Sequence, residues 1–288
     1  MIVDRADQTA GSFPRAAAVV GLGLIGGSLA MRLRAVGVRV VGVDVDAGTL
    51  EVARRRGAID EGTGSLDAVA SADLVIIATP LDQVAQVAIA AARRMRPGAV
   101  LTDVGSVKAP IVAAVNSALP PAVRFVGGHP MAGSEGQGIT GADAALLIDR
   151  PFILTPTSRT APEAVAAMHN VVTRIGMRPV VLDPVQHDEL VAQVSHLPYL
   201  VSLALLRAAA DDARAVAGPA LDEMTRVAQS PPALWTEICR QNREAILRAL
   251  TRYEVELARL RRGVEDGTIG DLLRDGKAAS GTVPVRET

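Results

Sequence analysis

The stretch VVGLGLIGGSLAMRLR, residues 19–34, decides the fold of the N-terminal half of the chain. It places Gly21, Gly23 and Gly26 in a G-x-G-x-x-G pattern between a short apolar run and a helical pattern. The first glycine permits a tight turn, the second lets a ligand phosphate approach the backbone, and the third allows close helix–strand packing. The helix that follows presents free N–H groups to an anion. The stretch therefore predicts a dinucleotide-binding strand–turn–helix unit.

The next apolar run, VRVVGVD, ends in Asp44, which lies 21 residues after Gly23. An acidic side chain at this distance is typical of sites that bind the ribose hydroxyls of NAD. Asp46 is the nearby alternative, and no arginine occurs at 44–48 to receive the additional phosphate of NADP. The competing interpretation is a glycine turn in another α/β fold, with Asp44 as a solvated loop residue. We predict NAD rather than NADP.

Apolar runs alternate with helical patterns through the first half of the chain. The apolar runs lie at 16–20, 38–43, 74–78, 99–103, 123–127, 152–155 and 178–182. The helical patterns lie at 25–36, 48–56, 81–95, 108–118 and 161–175. Continuous apolar strands separated by helices indicate a parallel sheet that is covered on both faces. We therefore predict an α/β, Rossmann-type doubly wound domain over residues 1–182.

The second half changes character, because no convincing strand pattern occurs from Pro184 to about Arg262. Helical patterns occupy 184–195, 198–217, 219–228 and 232–262, the last with a possible break. Several are apolar on more than one face, and such helices need a partner surface. We predict an all-helical dimerisation domain over residues 183–264. The small and polar residues of 265–288 predict a flexible tail.

Composition argues against several classes of protein. The 288 residues carry a formal net charge of −1 and 2% aromatic residues, which does not favour nucleic-acid binding. The uncharged run between Arg15 and Arg32 is too short and glycine-rich for a membrane span. The N-terminus lacks the apolar core of a secretory signal, and the single Cys239 fits a reducing compartment. We expect a cytoplasmic protein without metal, nucleic-acid or membrane partners.

Three further stretches follow predicted strands, which is where open α/β sheets bind ligands. Their polar residues are Thr79 with Pro80, then Asp103, Ser106 and Lys108, then His129, Ser134 and Glu135. Ser106 is either a site residue or the cap of a helix that begins near Lys108, itself a possible solvated first-turn residue. The glycine-rich stretch 126–138 is poor helix or strand material, which places His129 in a loop. There it is either a catalytic base beside a cofactor or an incidental turn residue.

Five motifs in a fixed order resemble those of the prephenate dehydrogenase family, which includes arogenate and cyclohexadienyl dehydrogenases. The motifs are GLGLIGGS (21–28), TDVGSVK (102–108), GGHPMAGSE (127–135), HDELVAQVSHLPY (187–199) and LDEMTRVAQSPPALWTEICRQN (221–242). The resemblance extends from about residue 16 to residue 250. One rival, a β-hydroxyacid dehydrogenase, would need a lysine in its helical domain, and 184–262 contains none. The other rival is a non-catalytic dinucleotide-binding protein.

The resemblance implies NAD-dependent oxidative decarboxylation of prephenate to 4-hydroxyphenylpyruvate in tyrosine biosynthesis, by a homodimer. Arogenate or an amino-substituted prephenate is the alternative substrate. By the same resemblance, His129 is the catalytic base, Ser106 bonds where substrate hydroxyl and nicotinamide meet, and Arg226 binds a substrate carboxylate. The residues implied to line the pocket or to lie in a second layer behind it are Ser134, Glu135, His187, Ser195 and Trp235. The predicted cofactor contacts are Gly21, Gly23, Leu24, Ile25, Gly26, Asp44, Thr79, Pro80 and Asp103.

One departure from the family pattern concerns substrate choice. The family usually has SHLPH where this chain has SHLPY, so Tyr199 replaces a histidine near the substrate side chain. Tyrosine keeps a hydroxyl group but does not become a cation near neutral pH. The sequence therefore leaves open whether a keto-acid or an amino-acid side chain is recognised there.

Overall fold

The computed structural model describes residues 13–280 apart from 135, 211 and 213–215. Its eight-stranded sheet has the order β3-β2-β1-β4-β5-β6-β7-β8. The strands are β1 Ala16–Val20, β2 Arg39–Val43, β3 Glu61–Thr63, β4 Leu74–Ile77, β5 Val100–Asp103, β6 Arg124–Pro130, β7 Pro151–Thr155 and β8 Arg178–Val181. Strands β1–β6 are parallel and reverse their order between β1 and β4. The predicted doubly wound α/β architecture is confirmed.

Helices cover both faces of this sheet. They are α1 Leu24–Ala35, α2 Ala47–Arg55, α3 Val84–Ala92, α4 Ala109–Ala118 and α5 Pro162–Arg174. Successive residues of β1 enter opposite cores: Val19 packs on the α1 and α5 side, and Val20 on the α3 and α4 side. A strand buried on both faces reads as a continuous apolar run, which is why the pattern predicted it correctly.

Three features of the sheet differ from the prediction. The short strand β3 was missed, because its sequence, EGT, has no apolar pattern. The predicted sheet was parallel, but β7 is antiparallel to β6. Strand β6 also continues through Pro130, so His129 lies in a strand rather than in a loop. The glycines fit this strand, because a Cβ atom at Gly128 would lie 2.5 Å from the backbone oxygen of Asp103.

From residue 184 onward, the regular elements that the structure describes are all helical. The elements are α6 Pro184–Val191, a π-helical segment Ala192–His196, α7 Leu197–Ala208, α8 Pro219–Thr225, a 3₁₀ turn Arg226–Gln229, α9 Pro232–Gln241, α10 Arg243–Glu265 and α11 Ile269–Ser280. Helix α7 ends at Ala208 rather than at 217, and the break expected within 232–262 falls at Asn242. The second domain is helical, as predicted.

The predicted tail from residue 265 contains a further helix, because α11 occupies Ile269–Ser280. This helix packs on α10 at Gly263, where a Cβ atom would lie 2.9 Å from a methyl group of Leu272. The apolar spacing within IGDLLRDG was the signal for this helix. Residues 281–288 lie outside the described part of the chain.

The run Pro184–Ala208 is long and apolar enough to cross a membrane by length and composition alone. Core helices meet the same criteria, and this one carries the fully buried His187. Only 28% of the most apolar 18-residue stretch of this run is buried within one copy of the chain. The exposed side chains include Val185 and Val194, which are 62% and 67% accessible. This apolar surface suits contact with another protein surface.

Candidate active site

The glycine-rich turn joins β1 to α1 and leaves room for a ligand. Gly21 has a φ of +92°, and a Cβ atom there would lie 2.5 Å from the carbonyl oxygen of Ala78. A Cβ atom at Gly26 would overlap the carbonyl oxygen of Gly21. At Gly23, by contrast, a Cβ atom would meet nothing within 4 Å, and no side chain caps α1. The N–H groups of the first turn, which includes Leu24 and Ile25, are thus available to an anion.

Asp44 and Asp46 have different roles at the end of β2. The Asp44 carboxylate accepts hydrogen bonds from Leu22 N at 2.8 Å and Asp46 N at 3.0 Å, so it holds the glycine-rich turn against β2. Asp46 instead caps α2, because it accepts bonds from the backbone of Gly48 and Thr49. Asp44 thus fixes the glycine-rich turn, whereas Asp46 fixes the start of α2.

Thr79 and Pro80 follow β4 at the point where the strand order reverses. The Oγ1 atom of Thr79 is buried and has no hydrogen-bond partner among the described residues. Its backbone nitrogen would lie 2.9 Å from a Cβ atom at Gly21, so it borders the glycine-rich turn. A buried hydroxyl group without a partner is unfavourable unless a ligand bonds it. The open turn, the uncapped helix, Asp44 and Thr79 therefore fit a bound dinucleotide.

Asp103 and Lys108 form an ion pair in which both side chains have no solvent exposure. The Asp103 carboxylate also accepts bonds from Gly105 N at 2.9 Å and Gly128 N at 3.3 Å. The prediction that Asp103 contacts the cofactor is therefore wrong, because its oxygens are enclosed by protein groups. The interpretation of Lys108 as a solvated residue is wrong for the same reason.

Ser106 lies between these two residues in the loop that joins β5 to α4, and it is half-buried. Helix α4 has Lys108 at its N-cap position and no side-chain capping bond. The structure thus removes the interpretation of Ser106 as a helix cap. The loop is fixed on both sides, by Asp103 at one end and by the bond from Lys108 N to Asp188 at the other.

His129 is the first member of a hydrogen-bonded chain of three side chains. Its Nδ1 atom lies 2.8 Å from Nε2 of His187, and Nδ1 of His187 lies 2.7 Å from Oδ1 of Asp188. The Asp188 carboxylate also accepts bonds from Lys108 N at 2.7 Å and Ala109 N at 2.8 Å. Asp188 is therefore seated at the N-terminus of α4, where a negative charge is stabilised.

This arrangement fixes where the imidazole protons lie. Asp188 accepts, so His187 carries its proton on Nδ1 and offers the lone pair of Nε2 to His129. His129 then donates from Nδ1, which leaves a lone pair on its Nε2 atom. His187 is fully buried and was predicted as a pocket or second-layer residue; the structure gives it the second of these roles.

The pKa of His129 is well below its ordinary value of 6.5, mainly because the ring is buried. The neighbouring His187, Lys108 and His196 lower this pKa further. Burial also lowers the pKa of His187, although Asp188 opposes that shift. Both imidazoles are therefore neutral at neutral pH, and the Nε2 atom of His129 keeps its lone pair.

Tyr199 and Trp235 form a stacked pair, with ring centroids 3.6 Å apart and planes 5° from parallel. The rings of His196 and Trp235 pack edge to face, with their centroids 5.9 Å apart. Burial lowers the pKa of His196 to about 4. Burial raises the pKa of Tyr199, which keeps its hydroxyl neutral. The buried Nε1 atom of Trp235 has no acceptor among the described residues, which suits a ligand-facing position.

The other predicted pocket residues are less closely tied to this cluster. Arg226 is exposed in the 3₁₀ turn that packs on α7, the helix that carries Tyr199. Ser195 is half-buried in the π-helical segment, a distortion that often marks functional sites. Ser134 is exposed and accepts a bond from Gly136 N at 3.2 Å. Glu135 lies outside the described residues.

Sequence reasoning missed Asp188 and Asn242, and it gave no role to His196. Asn242 donates from Nδ2 to the Asp188 carbonyl oxygen at 2.8 Å, and the same atom lies 3.2 Å from His196 Nδ1. It thus ties α10 to the helix that carries the buried imidazole. The adjacent His187-Asp188 pair was a visible signal, since two such residues in one apolar helix need partners.

Comparison with known families assigns both halves of the chain. Residues 28–181 match the family model described as "Prephenate dehydrogenase, nucleotide-binding domain", and residues 183–275 match "Prephenate dehydrogenase, dimerization domain". This chain belongs to the prephenate dehydrogenase family. Members of the prephenate dehydrogenase family are oxidoreductases, so the rival of a non-catalytic protein is not supported. The glycine-rich turn precedes the first match, so its assignment rests on the geometry given above.

Individual relatives agree with the family. A prephenate dehydrogenase of Bacillus subtilis is 32% identical over 271 residues, which is 91% of this chain and 73% of the relative. The structure of Synechocystis arogenate dehydrogenase is 33% identical with a TM-score of 0.80, over 92% of this chain and 98% of that one. Prephenate dehydrogenase from A. aeolicus, solved with hydroxyphenyl propionate and NAD+, is 29% identical with a TM-score of 0.86, over 94% and 98%.

Proposed function

We propose that this chain catalyses NAD-dependent oxidative decarboxylation of prephenate to 4-hydroxyphenylpyruvate. The observation that carries the proposal is the Asp188–His187–His129 chain, which leaves a neutral imidazole with an open Nε2 atom. His129 lies one residue before the end of β6, at the same edge of the sheet as the glycine-rich turn and Thr79. The NAD+ named for the A. aeolicus relative, and the fit of the turn to a dinucleotide, support NAD.

The reaction needs a base that accepts the proton of the ring hydroxyl. In our proposal, Nε2 of His129 accepts the proton of the ring hydroxyl while the hydride leaves the same ring carbon. The bond between the ring and its carboxylate then breaks, carbon dioxide departs, and the electron pair makes the ring aromatic. The former hydroxyl oxygen recovers the proton from His129. Aromatisation favours the reaction, so the protein mainly has to position the reactants.

NAD, when bound, supplies the hydride acceptor. We propose that the N–H groups of α1 beyond Gly23 bind its pyrophosphate and that Asp44 binds its ribose. Thr79 would donate its unpaired hydroxyl to the same ligand. The Ser106 side chain does not cap α4, and we propose that it holds the substrate hydroxyl beside His129.

Replacing Arg226 by alanine is expected to raise the KM for prephenate about 10- to 100-fold while kcat changes less, because a charge-assisted bond to a substrate carboxylate is lost. Arg252, an exposed arginine of α10, provides the matched control Arg252→Ala. Steady-state kinetics with purified proteins check this. An unchanged KM in Arg226→Ala would remove Arg226 from the substrate site.

The pH dependence of kcat/KM is expected to show an acid limb below pH 6.5, because the active form of His129 is neutral and its pKa is lowered. Activity should therefore hold constant as the pH falls from 8 to about 6.5 and decline only below that. A pH profile with a constant-ionic-strength buffer measures it. An acid limb centred at or above 6.5 would contradict the buried environment assigned to His129.

Arogenate is the second candidate substrate, because the Synechocystis relative bears that name and Tyr199 departs from the family histidine. The deciding experiment measures kcat/KM for prephenate and for arogenate by NADH absorbance. The same two values are measured for the Tyr199→His variant. We expect prephenate to be preferred. A preference for arogenate would replace the substrate, and oxidation of neither would refute the proposed function.

We further propose that the protein is a cytoplasmic homodimer. The match to the family's dimerisation domain and the exposed apolar residues of Pro184–Ala208 support the dimer. A second copy covering Val185 and Val194 would bury the surface that one copy leaves accessible.

A further inference from the structure

Lysine is almost absent from this chain. Only two of the 30 basic residues are lysines, Lys108 and Lys277, and the rest are arginines. Among the described residues, Lys108 is one of the largest side chains that are fully buried. An ammonium group is compact and directs three donors freely, whereas a guanidinium is a planar fork. The use of lysine at this buried position suggests that the position requires the smaller cation.

The surroundings of Lys108 give this requirement a structural reason. The ladder between β5 and β6 ends at Thr102 and Val126, so the backbone of β5 offers no partner to Gly128. Gly128 N instead donates to Asp103 Oδ1 at 3.3 Å, and its carbonyl oxygen accepts from Lys108 Nζ at 2.7 Å. The buried ion pair thus continues the edge of β5 with side chains.

Gly128 immediately precedes His129, and β7 pairs with both residues on the other side of β6. The backbone of Gly128 and His129 is therefore held by the Asp103–Lys108 pair on one side and by β7 on the other. The backbone nitrogen of Lys108 also donates to Asp188. Lys108 therefore contacts both strand β6, which carries His129, and the carboxylate that begins the Asp188–His187–His129 hydrogen-bonded chain. Removing Nζ would leave the Gly128 carbonyl without its donor in a dry interior.

We propose that Lys108, together with Asp103, is a positioning residue that fixes His129 through the backbone of Gly128. The proposal rests on the proposed function, in which His129 is the base. It assigns Lys108 no contact with substrate or cofactor. Displacement of a catalytic group by about 1 Å can lower a rate roughly 100-fold, so the loss of this anchor should be measurable in kcat.

The charges around His129 predict a second effect. His187 and His196 face it from the helical domain, Lys108 from the loop before α4, and the carboxylates Asp103 and Asp188 stand behind them. In Lys108→Met the cation is lost and Asp103 is left unpaired. Both changes favour the imidazolium, so the pKa of His129 should rise.

The test compares Lys108→Met, the double variant Asp103→Asn/Lys108→Met, and Lys277→Met as a lysine control in α11. We expect Lys108→Met to lower kcat about 10- to 100-fold, to change the substrate KM less than about threefold, and to move the acid limb of kcat/KM upward. The double variant has no unpaired buried charge and should fold even if the single variant does not. It should keep the kcat loss while its acid limb returns toward the wild-type position.

A kcat within about twofold of wild type in folded Lys108→Met or in the double variant would overturn the proposal. An equal loss in Lys277→Met would also overturn it. Histidine ¹⁵N NMR measures the pKa of His129 without turnover, and amide shifts of Gly128 and His129 report the strand. If the wild-type protein oxidises neither substrate, the proposed function fails. The NMR comparison then still decides the positioning role: unchanged shifts and pKa in Lys108→Met refute it.

Discussion

Replacing His129 by asparagine is expected to lower kcat about 10²- to 10⁴-fold, while KM for prephenate and NAD changes less than about threefold. Asparagine keeps a polar group beside His187 but has no basic lone pair of comparable strength. Because the ring hydroxyl must lose its proton as the hydride leaves, the effect falls on the chemical step. Stopped-flow measurement of NADH formation at saturating substrate would separate this step from product release.

The control for this variant is His169→Asn. His169 is exposed on α5, outside the hydrogen-bonded cluster, so its loss removes a histidine without touching the site. Wild-type kcat is expected for the control. A His129→Asn protein with near-normal kcat would show that another group is the base.

Replacing Asp188 by asparagine is expected to lower kcat by about 10²- to 10⁴-fold as well. Asparagine has one acceptor oxygen and a donor amide nitrogen, so it cannot accept from His187 Nδ1, Lys108 N and Ala109 N in the way that the two oxygens of Asp188 do. If His187 turns the lone pair of Nδ1 to the introduced amide, its Nε2 atom must carry the proton. His129 then loses its proton from Nδ1 and carries it on Nε2, where the base is needed.

Glu189→Gln is the matched control, because it removes one carboxylate charge from the same helix. Glu189 pairs with Arg248 at the surface and does not contact an imidazole. Histidine ¹⁵N NMR should show His129 protonated on Nδ1 in the wild type and in Glu189→Gln, and on Nε2 in Asp188→Asn. An unchanged tautomer with a normal kcat in folded Asp188→Asn would rule out the hydrogen-bonded chain as the determinant of base activity.

The sequence predicted most of the fold because its strands and helices have strong patterns. Strands such as β1 are apolar on both faces, and the glycine pattern specifies the turn after β1. The helix α11 was missed because its apolar residues are few and its surroundings are polar. Strand β6 was predicted to end too early, because the two glycines before His129 indicated a loop. Those glycines instead let β6 pack closely, Gly127 against the Thr155 side chain and Gly128 against the Asp103 backbone, and no local pattern reveals these contacts.

The candidate site was predicted only in part. His129 stood out because a histidine between glycines has few structural uses, whereas Arg226 is distinguished from other arginines only by the family resemblance. Lys108 was misjudged, since burial of a charge depends on a partner that the fold supplies, here Asp103. Pairing between residues 58 positions apart, as between His129 and His187, is likewise invisible before the chain has folded.

The central claim is that His129 acts as a base in an oxidation coupled to loss of carbon dioxide. The most direct measurement incubates the purified protein with prephenate and NAD and quantifies NADH, carbon dioxide and the aromatic keto acid together. Our account predicts equal amounts of all three products with the wild-type protein and almost none with His129→Asn. NADH formed without an equal amount of carbon dioxide, or products formed as fast by His129→Asn, would contradict it.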